Sequence, residues 1–143
     1  MDPDTLRDLV ESWIPFNRYL GIRAGDIRPG FTRLELPFRD EFIGDPVRRA
    51  LHGGVIATLA DTAGGIALWA QLRETRARVS TIDLRIDYLR PAKGELIAAE
   101  AHVVRQGNRV GVADVRIFHP SRADETLATG KGVYNVSIAK APA

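Results

Sequence analysis

The feature that most constrains this fold is an apolar run from Leu51 to Leu72, LHGGVIATLADTAGGIALWAQL. Its length and composition indicate one long helix that begins near His52. Strand-like segments precede and follow it, so the helix has to bury nearly its whole circumference. A curved sheet wrapped around it would do this. The sequence therefore predicts an α+β fold in which a long central helix is covered by a curved antiparallel β-sheet.

The first residues predict a helical extension. Asp4 or Thr5 can cap a helix that continues to about Trp13, and Pro15 ends it. Residues 1–14 are acidic and amphipathic, unlike a secretory signal, which starts with basic residues. With 143 residues, we expect one domain over 1–143, with 1–20 as an N-terminal helical extension, and a cytoplasmic location.

Period-two alternation predicts the strands. Two short runs joined by Pro29-Gly30 predict a hairpin, and the polar segment 39–50 predicts a loop. Three runs near the C-terminus, joined by short links, favour an antiparallel meander with the strand that follows the helix. That strand, VSTIDLRIDYLRP, is predicted to carry Ile82, Leu84, Ile86 and Tyr88 on one face and Thr81, Asp83, Arg85 and Asp87 on the other.

Composition excludes several classes of protein. The chain has no cysteine, so disulfides, thiolate nucleophiles and Cys-ligated metal sites are excluded. The net charge is +2, and the basic residues are interspersed with acidic ones, so we expect no nucleic-acid partner. We also expect no membrane partner, because polar residues interrupt the apolar runs. The three histidines lack a second ligand in register, so no metal site is expected.

The sequence His52-Gly53-Gly54 marks a candidate site. No Ser, Thr, Asp or Asn directly precedes the helix, so its first N–H groups lack an obvious side-chain cap. Glycines let a ligand approach the backbone, and the helix dipole favours a developing negative charge there. This pattern is typical of a site that polarises a carbonyl. Alternatively, the glycines only allow close packing against the sheet, and His52 bonds a loop carbonyl.

Asp61 is a lone carboxylate in the middle of the helix. Small residues surround it at helical spacing, and such a carboxylate could act as a general base. Alternatively, this part of the helix reaches solvent. Asp61 follows His52 by nine residues, which places the two on opposite helix faces and about 13 Å apart along the axis. If both are catalytic, a two-fold dimer that joins the two groups is the simplest arrangement.

These residues resemble the hotdog-fold acyl-CoA thioesterases, specifically the PaaI-like branch associated with phenylacetate breakdown. The resemblance rests on LHGGVIATLADTA followed by VSTIDLRIDYLRPA and covers roughly residues 20–137. It implies hydrolysis of an acyl-CoA thioester to a free acid and coenzyme A, which is part of the substrate, so no separate cofactor is needed. It also implies a homo-oligomer, usually a tetramer of two dimers, with active sites at the dimer interface.

The resemblance also implies roles for individual residues. Asp61 corresponds to the family's carboxylate, acting as general base or nucleophile, and Thr81 to a hydroxyl residue that positions water or the aspartate. Gly53 or Gly54 would polarise the thioester carbonyl, with His52 orienting that loop. An asparagine commonly precedes the family's histidine; here Asp45 takes that role, or no residue does. The candidates for coenzyme A binding are Arg90, Arg105, Arg109 and Lys131.

The acyl group stays open at this stage. Residues expected along its tunnel include Phe42, Ile43, Leu59, Leu68 and Trp69. Two alternatives to the thioesterase are a hotdog hydratase or dehydratase acting on an enoyl or hydroxyacyl thioester, and a non-catalytic acyl-CoA-binding module.

Overall fold

The structure, a computed structural model, describes residues 1–140. Within these residues, three α-helices and eight strands follow one another. They are α1 (Pro3–Asp8), α2 (Pro15–Leu20), β1 (Arg23–Arg28), β2 (Phe31–Leu36), β3 (Ile43–Asp45), β4 (Ala50–Leu51), α3 (Gly53–Gln71), β5 (Ala77–Tyr88), β6 (Ile97–Gln106), β7 (Val110–Phe118) and β8 (Thr126–Ile138).

The N-terminal extension differs in detail from the prediction. Asp2, rather than Asp4 or Thr5, caps α1 by accepting the Thr5 N–H at 2.9 Å, and a π-helical turn continues α1 to Trp13. Pro15 then begins a second helix instead of only ending the first. Proline suits the first helical position because its fixed φ is helical and its missing N–H would be unpaired there.

Six strands form one antiparallel sheet in the order β1-β2-β6-β7-β8-β5. The predicted hairpin is confirmed as β1 and β2, with Gly30 at φ 76° in its turn. The predicted four-strand meander is wrong in one respect. β6, β7 and β8 are neighbours in chain order, as a meander requires, but β5 pairs with β8 instead of β6. This is because β2 and β7 already occupy both edges of β6. The predicted loop 39–50 holds the short pair β3–β4.

The helix α3 packs across the concave side of this sheet. Nine of its residues are buried, and seven of these join residues from β2, β6 and β7 in the main core. By length and mean hydropathy α3 could also cross a membrane, but half of its most apolar window is buried inside the fold. The predicted α+β fold, a central helix wrapped by an antiparallel sheet, is confirmed.

A β-bulge divides β5 into two halves. Opposite β8, Thr81 pairs with Tyr134 and Asp83 with Val133, so Ile82 is the extra residue. The face toward α3 therefore changes from odd to even positions at this point. Thr81 faces the helix, whereas Ile82 is 58% exposed. For this reason the predicted grouping of Ile82 with Leu84 on one face, and of Thr81 with the alternate residues on the other face, is wrong.

Candidate active site

His52 caps the N-terminus of α3. The ring Nδ1 of His52 accepts the backbone N–H of Gly54 at 2.8 Å. The backbone N–H of His52 donates to the Phe42 carbonyl, also at 2.8 Å. The close approach of Gly44 to the His52 backbone leaves no room for a Cβ at Gly44. The expectation that the first N–H groups lack a side-chain cap is therefore wrong, because a ring nitrogen replaces the usual oxygen acceptor. The Gly54 N–H is thus already hydrogen-bonded to the His52 ring.

Gly53 supplies the remaining donor at this helix end. Among residues 1–140 its N–H has no hydrogen-bond acceptor. The Tyr88 hydroxyl donates to the Gly53 carbonyl at 2.7 Å, and a Cβ on Gly53 would lie 3.1 Å from the Tyr88 ring. Tyr88 thus fixes the peptide that follows Gly53. The sequence offered no clue to this contact beyond the position of Tyr88 on the inward face of β5.

The carboxylate of Asp61 is half-buried and hydrogen-bonded. Its Oδ1 accepts the Thr81 hydroxyl at 2.7 Å, so the structure brings together these two predicted site residues. Thr81 is in contact with Asp61 only because the β5 bulge turns it toward α3. A hydroxyl that donates to one carboxylate oxygen leaves the other oxygen free to accept a proton or attack a carbon.

Tyr134 is a site residue that the sequence prediction missed. Its hydroxyl donates to the Asp61 backbone carbonyl at 3.0 Å, and it is the cross-strand neighbour of Thr81. Burial, followed by the nearby charge of Asp61, raises the pKa of Tyr134 well above its ordinary value. A Cβ on Gly64 or Gly132 would overlap the Tyr134 hydroxyl. Gly64 is therefore required in the helix for contact with Tyr134.

A cleft of about 170 Å³ opens beside Asp61. On α3 it is lined by Thr62, Gly65, Ile66 and Trp69, which recur at helical spacing. Thr81, Val79 and Tyr134 close it from the sheet, and Ile14 and Asn17 from the N-terminal extension. His52, Gly53 and Gly54 are not among the lining residues, so one chain holds the carboxylate and the helix terminus in separate places.

Other predicted site residues lie elsewhere. Asp45 accepts the N–H groups of Val47 and Arg48 at 3.0 Å each and stabilises its own loop. Lys131 pairs with Asp114 at 2.5 Å on the outer face of the sheet, and Arg90 donates to the Thr126 carbonyl. Arg105 and Arg109 are exposed at the β6–β7 end. Within the described part of the chain, none of these residues lines the Asp61 cleft.

The predicted tunnel and metal ligands can also be placed. In the part of the structure that covers residues 1–140, only Trp69 of the five predicted tunnel residues lines the Asp61 cleft. Leu59 and Leu68 are instead fully buried in the core. In the same range no group of three or more His, Asp or Glu side chains could hold a metal ion.

Comparison with known proteins decides the family. The sequence profile described as the thioesterase superfamily matches residues 49–125, which include α3, β5 and both ends of the site. The chain belongs to the thioesterase superfamily. This thioesterase is 38% identical to a putative esterase of Halobacterium salinarum over 94% of its own length and 95% of the relative's. It is also 36% identical to the medium/long-chain acyl-CoA thioesterase YigI of Escherichia coli, over 81% and 83% of the two chains.

The thioesterase also resembles solved structures. The PaaI protein from the phenylacetic acid degradation operon of E. coli superposes with a TM-score of 0.73 at 27% identity, over 82% of this chain and 80% of that one. These findings confirm a PaaI-like hotdog thioesterase and a thioester hydrolase.

Proposed function

We propose that this thioesterase hydrolyses an acyl-CoA thioester to a free carboxylic acid and coenzyme A, using Asp61 as its catalytic carboxylate. The observation that carries the proposal is the 2.7 Å hydrogen bond from Thr81 to Asp61 beside an open cleft. The name of the relative YigI supports an acyl-CoA substrate. Water and the carboxylate suffice for this reaction, so no cofactor is required.

Asp61 can act in two ways. As general base, it accepts a proton from water while the water oxygen attacks the thioester carbonyl carbon; the C–S bond then breaks and the coenzyme A thiolate takes up a proton. As nucleophile, its free oxygen attacks that carbon, the C–S bond breaks, and coenzyme A leaves as a thiolate that takes up a proton. Water then hydrolyses the resulting anhydride and regenerates the carboxylate. In both cases Thr81 fixes the orientation of the carboxylate.

The carbonyl is polarised by the Gly53 N–H at the start of α3. This donor has no acceptor in the part of the chain that the structure describes, and the helix dipole adds a partial positive charge at the carbonyl oxygen. The donor belongs to a second subunit, because Gly53 lies about 12 Å from Asp61 along one helix and on a different side of it. His52 then acts as the cap that orients this helix end.

The exposed edge of β5 provides the surface for that dimer. β5 is a 12-residue strand at the edge of the sheet, and Ile82 is exposed on it. Such an edge can pair with a second copy. A two-fold axis near the middle of β5 would place the Thr81 end of one strand beside the Tyr88 end of its partner. This brings Asp61 toward Gly53 of the partner subunit. We include in the proposal a tetramer of two such dimers in the cytoplasm.

Binding of the coenzyme A phosphates is assigned to exposed basic residues. Tyr88 contacts Gly53, and Arg90 follows Tyr88 by two residues. Of the four candidates, Arg90 is therefore the nearest in sequence to a residue at the Gly53 end of the site. Arg105 and Arg109 are exposed candidates, whereas Lys131 is paired with Asp114. We therefore place Arg90 first among them.

A thiol-release assay tests the proposal. Purified protein is given short, medium, long and aromatic acyl-CoAs, and we expect thiol release from at least one. Asp61→Asn should lower kcat by about a thousandfold, within the range for loss of a catalytic acid–base group. Asp124→Asn, an exposed acid in a turn, is the matched control and should keep full activity.

Other outcomes identify other functions. Turnover of enoyl-CoA without thiol release would show a hydratase, and acyl-CoA binding without turnover would show a binding module. Either result, or full activity in Asp61→Asn, contradicts the proposal.

Subunit mixing tests the shared site. Asp61→Asn and Gly53→Pro chains are each expected to be nearly inactive alone. If each site takes Asp61 from one chain and Gly53 from the other, random mixing should restore about a quarter of the wild-type activity, since half of the dimers carry one intact site of two. No recovery in mixtures verified to contain heterodimers would contradict a shared site.

A further inference from the structure

Tyr134 and Thr81 bind the same residue of α3 from neighbouring strands. They lie opposite each other on β8 and β5, and both hydroxyls donate to Asp61. Thr81 donates to the carboxylate at 2.7 Å, whereas Tyr134 donates to the backbone carbonyl at 3.0 Å. The sheet therefore fixes both the side chain and the main chain of Asp61.

The Tyr134 hydroxyl gives the Asp61 carbonyl a second hydrogen bond. Asp61 lies in the middle of α3, where each carbonyl accepts the N–H of the residue four positions later. A carbonyl oxygen has two lone pairs, so it can accept the phenol as well. The helix does not need this second bond for its own hydrogen bonding. What the bond adds is a fixed position of the Asp61 turn relative to β8.

Two glycines make room for this contact. A Cβ on Gly64 or Gly132 would overlap the Tyr134 hydroxyl. Gly64 lies in the interior of α3 and Gly132 in the interior of β8, and glycine is unfavourable in both places because it loses more conformational freedom on folding than other residues. The chain thus has an unfavourable residue at each of the two positions that let this hydroxyl reach Asp61.

The surroundings of Tyr134 keep its hydroxyl a hydrogen-bond donor. Burial, followed by the charge of Asp61, raises the pKa of the phenol, which is therefore protonated throughout the neutral range. The residue is only 1% exposed. Its hydroxyl is bonded to the protein, so any effect on the reaction passes through Asp61 and not through contact with the substrate.

We propose that Tyr134 is a positioning residue for the reaction, which holds the Asp61 turn of α3 against β8 so that the carboxylate bound by Thr81 is aligned in the cleft. Such alignment matters because a displacement of about 1 Å can lower a rate about a hundredfold. The inference rests on the proposed function, because it takes Asp61 as the catalytic carboxylate. It adds a residue that acts on catalysis through the backbone of α3.

Removal of the hydroxyl alone tests the inference. Tyr134→Phe keeps the ring between the two glycines. We expect kcat on the best acyl-CoA to fall about tenfold while KM stays within about twofold, because substrate binding is retained and only the alignment of the carboxylate is lost. An unchanged kcat in folded Tyr134→Phe protein would overturn the inference.

A matched control separates positioning from stability. Ile117→Val removes one methylene from a fully buried residue of β7 that does not line the Asp61 cleft. Its cost in stability is similar to that of losing one buried hydrogen bond. The two variants should therefore have similar urea midpoints, but only Tyr134→Phe should lose kcat. Equal losses of kcat in both would show that Tyr134 contributes stability alone, and would overturn the inference.

Gly64→Ala tests the same contact from the helix. Its Cβ would displace the Tyr134 hydroxyl, so kcat should fall about tenfold in otherwise wild-type protein. In Tyr134→Phe protein no hydroxyl is left to displace, and Gly64→Ala should lower kcat by about twofold at most. An equal loss in the two backgrounds would contradict the positioning role. If Tyr134→Phe does not fold, an unchanged kcat in Gly64→Ala overturns the inference.

Failure of this inference is distinguishable from failure of the proposed function. Thiol release with an unchanged kcat in Tyr134→Phe refutes the role of Tyr134 alone. No thiol release from any acyl-CoA, or full activity in Asp61→Asn, refutes the proposed function.

Discussion

The hydroxyl of Thr81 donates to Oδ1 of Asp61 at 2.7 Å, and this contact exists because β5 contains one extra residue at Ile82. Without the bulge, a strand cannot present Thr81 and Leu84 on the same face, because side chains alternate. The bulge therefore lets β5 contribute a polar group to the site at one end and apolar groups to the core at the other.

Removal of the Thr81 hydroxyl should reduce catalysis while the fold is retained. We expect Thr81→Val to lower kcat about ten- to a hundredfold, the effect of losing a hydrogen bond to a charged group. Thr81→Ser keeps the hydroxyl and should remain within a few-fold of wild type. Steady-state kinetics on the best acyl-CoA measure both, and similar losses in the two variants would contradict a role for the hydroxyl.

The backbone donor of Gly53 can be removed by proline. Position 53 is the first of α3, and His52 before it has φ −62° and ψ 132°, which a following proline favours. Gly53→Pro should lower kcat about a hundredfold relative to Gly53→Ala, which adds the same Cβ near Tyr88 but keeps the N–H. Equal kcat values in the two variants would exclude this N–H from catalysis.

The capping bond of His52 should be measurable as stability. His52→Ala leaves the Gly54 N–H without its acceptor and should lower the free energy of unfolding by about 1 kcal/mol. His52→Asn supplies another capping acceptor and should recover most of this loss. Urea unfolding at neutral pH compares the variants, and an Asn variant no more stable than the Ala variant would argue against capping.

Tyr134 should make the fold sensitive to alkaline pH. Burial raises the pKa of its phenol in the folded protein, whereas the unfolded chain has the ordinary value near 10. Above that pH the unfolded chain loses the phenol proton while the folded protein still keeps it. The free energy of unfolding therefore falls as pH rises above about 10. Unfolding free energies measured from pH 9 to 11 should fall more steeply in wild type than in Tyr134→Phe.

Tyr19→Phe is the matched control for that measurement, because Tyr19 is 69% exposed. It should follow the wild-type curve. If Tyr134→Phe has the same alkaline slope as wild type, another group causes the loss.

The sequence was sufficient to predict the elements whose patterns are strong. The apolar run that forms α3, the hairpin at Pro29-Gly30 and the proximity of Thr81 to Asp61 all agree with the structure. The position of Thr81 followed from the family resemblance rather than from alternation, which grouped it on the face opposite Leu84 and Ile86. A bulge adds one residue without altering composition, so a period-two pattern with an apolar Ile82 conceals it.

Other features depend on contacts between distant residues. The cap by His52 was missed because a histidine ring is an unusual capping group. The pairing of β5 with β8 depends on which strand edges are already occupied, and chain order does not reveal this. Tyr134 belongs to the site because it lies opposite Thr81 in the sheet, although it is 53 residues later in the chain.

The fit of Tyr134 between Gly64 and Gly132 restricts which substitutions this protein can accept during evolution. A larger residue at either glycine would displace the phenol, and a smaller residue at position 134 would leave a void next to Asp61. Related chains should therefore substitute these three positions together, and a survey of their sequences would reveal the correlated replacements.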